Sequence, residues 1–153
     1  TCSIDGTGEK FNYIRRGANW NRTIENVKFL QGQPNVDLRA NTVFFVLTAQ
    51  QLPEIIDYFM EEIGSVDHTI NPCGMGQYHL RCRNLSSEIK SLVRENLNNT
   101  FEKYKDNLNI AGNLKNCILE LDKEGSSVEY KEYFDNIDIL QGSNWRKLYP
   151  ELT

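Results

Sequence analysis

Asn41-Thr42-Val43-Phe44-Phe45-Val46-Leu47-Thr48, followed shortly by Leu52-Pro53-Glu54-Ile55-Ile56-Asp57-Tyr58-Phe59, decides the fold class. The first stretch is the end of a strand predicted over residues 36–47, and its second half is apolar on both faces. Continuous apolar strands belong to parallel sheets covered on both sides. The second stretch opens a helix predicted over 52–63. Pro53 fits the first turn, Glu54 suits the positive helix N-terminus, and Gly64 closes the segment. Ile55, Ile56, Phe59 and Ile63 recur at the spacing of a buried stripe.

The same alternation extends outward. Residues 1–4 read as the end of a buried strand closed by Asp5-Gly6, and residues 6–10 as a loop. Trp20, Ile24, Val27 and Leu30 mark a helix starting at Asn19, with Gly32 as its cap. Beyond Gly64, Val66, His68 and Ile70 alternate with Asp67, Thr69 and Asn71, which predicts a third strand over 66–70 and a turn over 71–74. Strand, helix, strand, helix, strand implies a parallel sheet with right-handed crossovers. The pattern then becomes helical. Ser86 caps a segment carrying Ile89, Leu92, Val93, Leu97 and Phe101, and further helices are predicted over 107–121 and 127–140. A tail over 144–152 holds Trp145, Leu148 and Tyr149, expected to dock on the body. The expectation is therefore an α/β chain: three parallel strands with crossover helices over 1–84, then a helical region over 85–153.

Composition narrows the function classes. The chain has 153 residues, 39% hydrophobic and 25% charged, an ordinary globular mix of about one domain. A net charge of −4 argues against a nucleic-acid surface or an anionic membrane as partner. The run from Val43 to Leu47 is far too short to span a bilayer, and no signal-peptide pattern opens the sequence. Cys2, Cys73, Cys82 and Cys117 are sparse for a disulfide scaffold. The sequons at Asn21, Asn84 and Asn98 are what an Asn-rich chain yields by chance. A reducing, cytoplasmic compartment is the expectation.

Two motifs invite chemistry and fall short of it. Gly6-Thr7-Gly8 follows a strand, as a phosphate loop does. It lacks the Gly-Lys-Ser/Thr ending, and Phe11 stands where a dinucleotide fingerprint needs a third glycine. His68, Cys73, His79 and Cys82 are zinc-type ligands, but H-x4-C-x5-H-x2-C matches no standard zinc template. The plainer reading is a strand histidine, two buried thiols and a loop histidine.

Ser3-Ile4-Asp5-Gly6, with Glu9-Lys10-Phe11-Asn12-Tyr13-Ile14-Arg15-Arg16-Gly17 and Asn19-Trp20 behind it, resembles the radical SAM superfamily. There a middle barrel strand ends in a Ser-hydrophobic-Asp-Gly motif. The likeness is greatest to members with SPASM or twitch-type C-terminal extensions. Residues 41–48 and 52–59 are similar to the family's fifth strand and its helix, and Ile70-Asn71-Pro72-Cys73 to the exit of the sixth. Residues 137–152, with Trp145 and Tyr149-Pro150-Glu151-Leu152, are similar to the ends of small twitch-type members.

The resemblance implies a partial TIM-like barrel that binds S-adenosylmethionine and, beside a [4Fe–4S] cluster, generates a 5′-deoxyadenosyl radical. It implies that Ser3 hydrogen-bonds S-adenosylmethionine at its ribose or carboxylate, and that Arg15 pairs with that carboxylate. Asp5 would shape or contact the same pocket, and Thr48 would approach S-adenosylmethionine or substrate. The departure is the absence of CxxxCxxC: no two cysteines lie closer than nine positions. The chain then corresponds to the barrel's last three strands, the cluster belongs to a missing N-terminal half, and the chain alone is inactive. Its expected partners are that half and an unidentified substrate, peptide or protein. No auxiliary cluster is expected, because beyond Cys82 only Cys117 remains. The rival expectation is a stand-alone α/β interaction or ligand-binding domain without catalysis, meeting its partner through the acidic helix over 127–140.

Overall fold

A computed structural model describes residues 1–64, 67–74, 77–125 and 130–153. Three parallel strands form one sheet in sequential order: β1 (Cys2–Ser3), β2 (Arg39–Phe44) and β3 (Asp67–Pro72). Ser3 lies opposite Asn41, and β2 pairs with β3 from Arg39 and Asp67 to Phe44 and Pro72. Two helices, α1 (Gly8–Ile14) and α2 (Trp20–Gln31), connect β1 to β2. Helix α3 (Leu52–Asp57), continued by π-helical turns over Tyr58–Ile63, connects β2 to β3. Then come α4 (Ser87–Lys103), α5 (Leu108–Leu121), α6 (Tyr130–Gln141) and the short α7 (Trp145–Leu148). Among the described residues no helix is long and apolar enough to cross a membrane.

Helix starts follow local chemistry. Asn19, Ser86, Asn107 and Asn144 each accept a backbone N–H three residues ahead, relieving the unpaired donors of a first turn. Gly64, at φ +77°, ends the segment after α3 in a conformation that favours glycine.

The sheet departs from the sequence expectation in one respect that matters. Burial alternates along β2: Ala40, Thr42 and Phe44 are buried, while Arg39, Asn41 and Val43 are exposed or half-buried. In β3, His68 and Ile70 are buried, and Asp67, Thr69 and Asn71 are exposed. Among the described residues, helices thus cover one face. The other face carries the polar row Ser3, Asn41 and Thr69, and Asn71 Nδ2 donates to Asn41 Oδ1 at 3.0 Å. The apolar run misled because the strand stops at Phe44, not at residue 47. Phe45, Val46 and Leu47 are buried in the following turn, packed with the helical region.

Three smaller expectations also shift. The loop over 6–10 becomes the start of α1, a seven-residue helix too short to show periodicity and opened by Gly8 at φ +52°. The third strand runs on through Pro72; the predicted start at Val66 lies outside the described residues. Helix α6 is described from Tyr130, and residues 127–129 of the predicted helix lie outside the described set.

One hydrophobic core joins the sheet to the C-terminal helices, with Phe44, Leu52 and Ile70 beside Leu97, Leu114 and Trp145. A smaller core under α1, α2 and α3 collects Ile4, Phe11, Ile24, Val27 and Phe59. The tail docks as expected: Trp145, Tyr149 and Leu152 are buried. At the outer edge of β3, Asn113 of α5 donates to the His68 carbonyl at 2.8 Å. β1 forms the other edge, with Thr1 and Ser3 exposed.

Candidate functional site

Ligands in open parallel sheets gather beyond the carboxyl ends of the strands. A cavity of about 350 Å³ lies there. Asp5 follows β1, Val43 and Phe45 come from the end of β2, and Cys73 follows β3. The end of α1 adds Tyr13 and Ile14, with Arg15 and Arg16 just beyond it. Helix α6 adds Tyr133, Phe134, Ile137 and Gln141, which share one helical face by their spacing.

The charged centre of this cavity is Asp5 with Arg15. Asp5 is 4% exposed. Its Oδ1 accepts the Val43 N–H at 2.7 Å, and its Oδ2 meets Arg15 Nη2 at 2.5 Å. A buried carboxylate needs such partners. Gly6 suits the turn: a Cβ there would sit 3.0 Å from the Phe11 nitrogen, a tight contact that α1 would have to relax to accommodate. Arg15 Nε is buried and finds no hydrogen-bond partner among the described residues. The guanidinium is therefore half used. With Arg16, two cations line the wall against one carboxylate.

Tyr13 ties two walls together. Its hydroxyl donates to Asp138 of α6 at 3.0 Å, and burial together with that carboxylate pushes the phenol pKa up. Asp138 also accepts the Ser143 hydroxyl at 2.7 Å and the Trp145 N–H at 2.6 Å. One carboxylate thus links α1, α6 and α7.

The four residues expected at the site separate. Asp5 and Arg15, ten positions apart in sequence, are brought into direct contact in the cavity wall. Ser3 is exposed on the polar sheet face and is not part of that wall. Thr48 is fully buried; its hydroxyl accepts the Phe45 N–H at 2.9 Å and lies 2.7 Å from the Val43 carbonyl, to which it donates. Its polar capacity is spent holding the turn after β2.

The chain matches no protein-family model, no curated protein and no solved structure.

Among the described residues no group of three or more His, Cys, Asp or Glu side chains is placed to hold a metal. Cys73, Cys82 and Cys117 are buried free thiols. Burial pushes all three up, Cys117 to about 12, which keeps them protonated. His68 is fully buried beneath the sheet. Thr42 Oγ1 donates to the Ile4 carbonyl at 2.5 Å, so it accepts from His68 Nε2–H at 2.8 Å. That leaves Nδ1 bare, buried and without a partner among the described residues. Burial lowers the His68 pKa to about 4, only partly offset by Asp67.

Sequence reading missed the aromatic wall of α6 and the partnership of Tyr13 with Asp138. The spacing of Tyr133, Ile137 and Gln141 was a visible signal. It reads equally as an ordinary amphipathic stripe.

Proposed function

We propose that this chain is the C-terminal part of a radical SAM-type partial barrel and holds S-adenosylmethionine at the carboxyl edge of its sheet. The observation that carries the reading is the Asp5–Arg15 pair in the wall of that cavity. These are two of the residues that the resemblance assigns to S-adenosylmethionine, and the fold joins them where α/β sheets bind ligands. The volume falls within the roughly 300–1,000 Å³ range of small-molecule sites.

The edges and faces of the sheet support it. A second layer of helices needs an apolar face to pack on. The uncovered face here is polar, with Ser3, Asn41 and Thr69 in one row, as suits the inside of a barrel. Helix α5 meets the outer edge of β3, while among the described residues no strand lies beyond β1. Further strands would join on the β1 side.

The residues present fit S-adenosylmethionine and do not fit an iron–sulfur cluster. Arg15 keeps an unpartnered Nε beside its Asp5-bound Nη2, and a guanidinium fork suits a carboxylate. Asp5 holds that fork in place. In a parent protein whose cluster supplies an electron, S-adenosylmethionine would be the source of a 5′-deoxyadenosyl radical. Cys73, Cys82 and Cys117 are buried and held protonated, which does not suit cluster-bound thiolates.

Titration calorimetry of the chain with S-adenosylmethionine tests the reading. Saturable binding is expected, weakened at least tenfold by Arg15→Ala and less by Arg15→Lys. After treatment with iron and sulfide, no cleavage of S-adenosylmethionine is expected. Absence of binding, or binding indifferent to Arg15, overturns the proposal; cleavage by the reconstituted chain overturns the assignment of the cluster to another segment.

A further inference from the structure

The cavity has two unlike kinds of wall. The segment just after α1 presents Arg15 and Arg16, beside Asp5. Helix α6 presents Tyr133 and Phe134, whose rings meet edge to face with centroids 5.2 Å apart. His79 lies against Tyr133 at 4.4 Å. Phe134 is buried, whereas Tyr133 is 39% exposed and has ring surface to offer. The Tyr13–Asp138 hydrogen bond holds the two walls in a fixed relation. A ligand that fills such a space carries an anionic group for the arginines and a planar, weakly polar group for the aromatics.

Resting on the reading above, we propose that α6 is the base-recognition wall: Tyr133, backed by His79 and Phe134, stacks the planar purine of the ligand whose carboxylate Arg15 holds. The helical region, which the sheet does not need for its own pairing, then decides which molecules enter. Tyr133 acts through its ring rather than its hydroxyl. Ile137 and Gln141, further along the same face, complete the wall.

Three probes separate the two walls: S-adenosylmethionine, L-methionine and adenosine, each titrated into the chain and its variants. Aromatic stacking of a base is worth enough that losing the ring weakens binding roughly tenfold or more. Tyr133→Ala is expected to weaken S-adenosylmethionine and adenosine by that factor and to leave methionine unchanged. Tyr133→Phe keeps the ring and is expected to retain binding of all three. Arg15→Ala is expected to do the converse, weakening S-adenosylmethionine and methionine but not adenosine. Because Tyr133 is partly exposed, its removal should leave the fold intact, which circular dichroism checks. Tyr133→Ala that spares adenosine, or weakens methionine equally, overturns the stacking assignment while leaving Arg15 and the proposed function standing. Binding of adenosine alone, lost on Tyr133→Ala, supports the stacking wall and overturns the function. Binding of none of the three overturns both.

Discussion

His68 shows how one residue can be constrained by what surrounds it. Its Nε2–H is spent on Thr42, and a second proton would have to sit on the bare, buried Nδ1. The folded-state pKa of about 4 lies below the ordinary imidazole value, so between them the unfolded chain binds a proton that the folded chain refuses. The contribution to stability is full above about pH 6.5 and is lost as the pH falls through 4. Urea denaturation should therefore show a loss between pH 7 and pH 4.5 that is smaller in His68→Gln by roughly 2–3 kcal/mol. Glutamine retains a donor for Thr42 and does not titrate. An identical loss in both proteins would show that His68 carries none of it. The histidine was legible in the sequence as a strand residue. Its partner was not, because Thr42 lies twenty-six positions away and on another strand.

At the scale of elements, Asp138 is the joint. It receives Tyr13 from α1, Ser143 from the turn after α6 and the Trp145 N–H that opens α7. Replacing it by alanine removes three acceptor contacts at a half-buried position. Denaturant unfolding is expected to show a loss of about 3 kcal/mol, against about 1 kcal/mol for Tyr13→Phe, which removes one hydrogen bond. Equal, negligible effects would mean that α6 and α7 dock through apolar burial alone. Helix starts were readable because capping is local: Asn19 and Ser86 sit where an expected helix begins, and each accepts the N–H three residues on. Helix α1 was not readable, since seven residues with one fully buried side chain, Phe11, give no period. The end of β2 was misread because Phe45, Val46 and Leu47 look the same whether buried in a strand or in the turn that follows it.

At the scale of the molecule, the strands and the C-terminal helices share a core. Phe44 and Ile70 on the sheet pack in one cluster with Leu97, Leu114, Trp145 and Leu152. The sequence division into residues 1–84 and 85–153 describes a change of pattern, while burial runs across it. The chain's two tryptophans, Trp20 and Trp145, fall one on each side. Within each single-tryptophan variant, Trp145→Phe or Trp20→Phe, fluorescence of the remaining tryptophan and far-ultraviolet circular dichroism are expected to report the same urea midpoint and slope, as a two-state transition requires. Separate midpoints would mean that the helical region unfolds independently of the sheet.

The amino-acid sequence by itself determined the α/β class, the order of the three strands, the helices other than α1 and the docking of the tail. These are carried by local signals: hydrophobic period, caps and turn glycines act within a few residues of where they stand. Only the tertiary structure decided that one face of the sheet stays polar and uncovered, that Asp5 and Arg15 meet while Ser3 and Thr48 stand apart from them, and that α6 supplies an aromatic wall to the same cavity. Those outcomes depend on which residues distant in the chain become neighbours, as when Asp5 takes the N–H of Val43 and Tyr13 reaches Asp138. No short stretch of sequence encodes such a meeting, because the free energy that enforces it comes from burying the whole core at once.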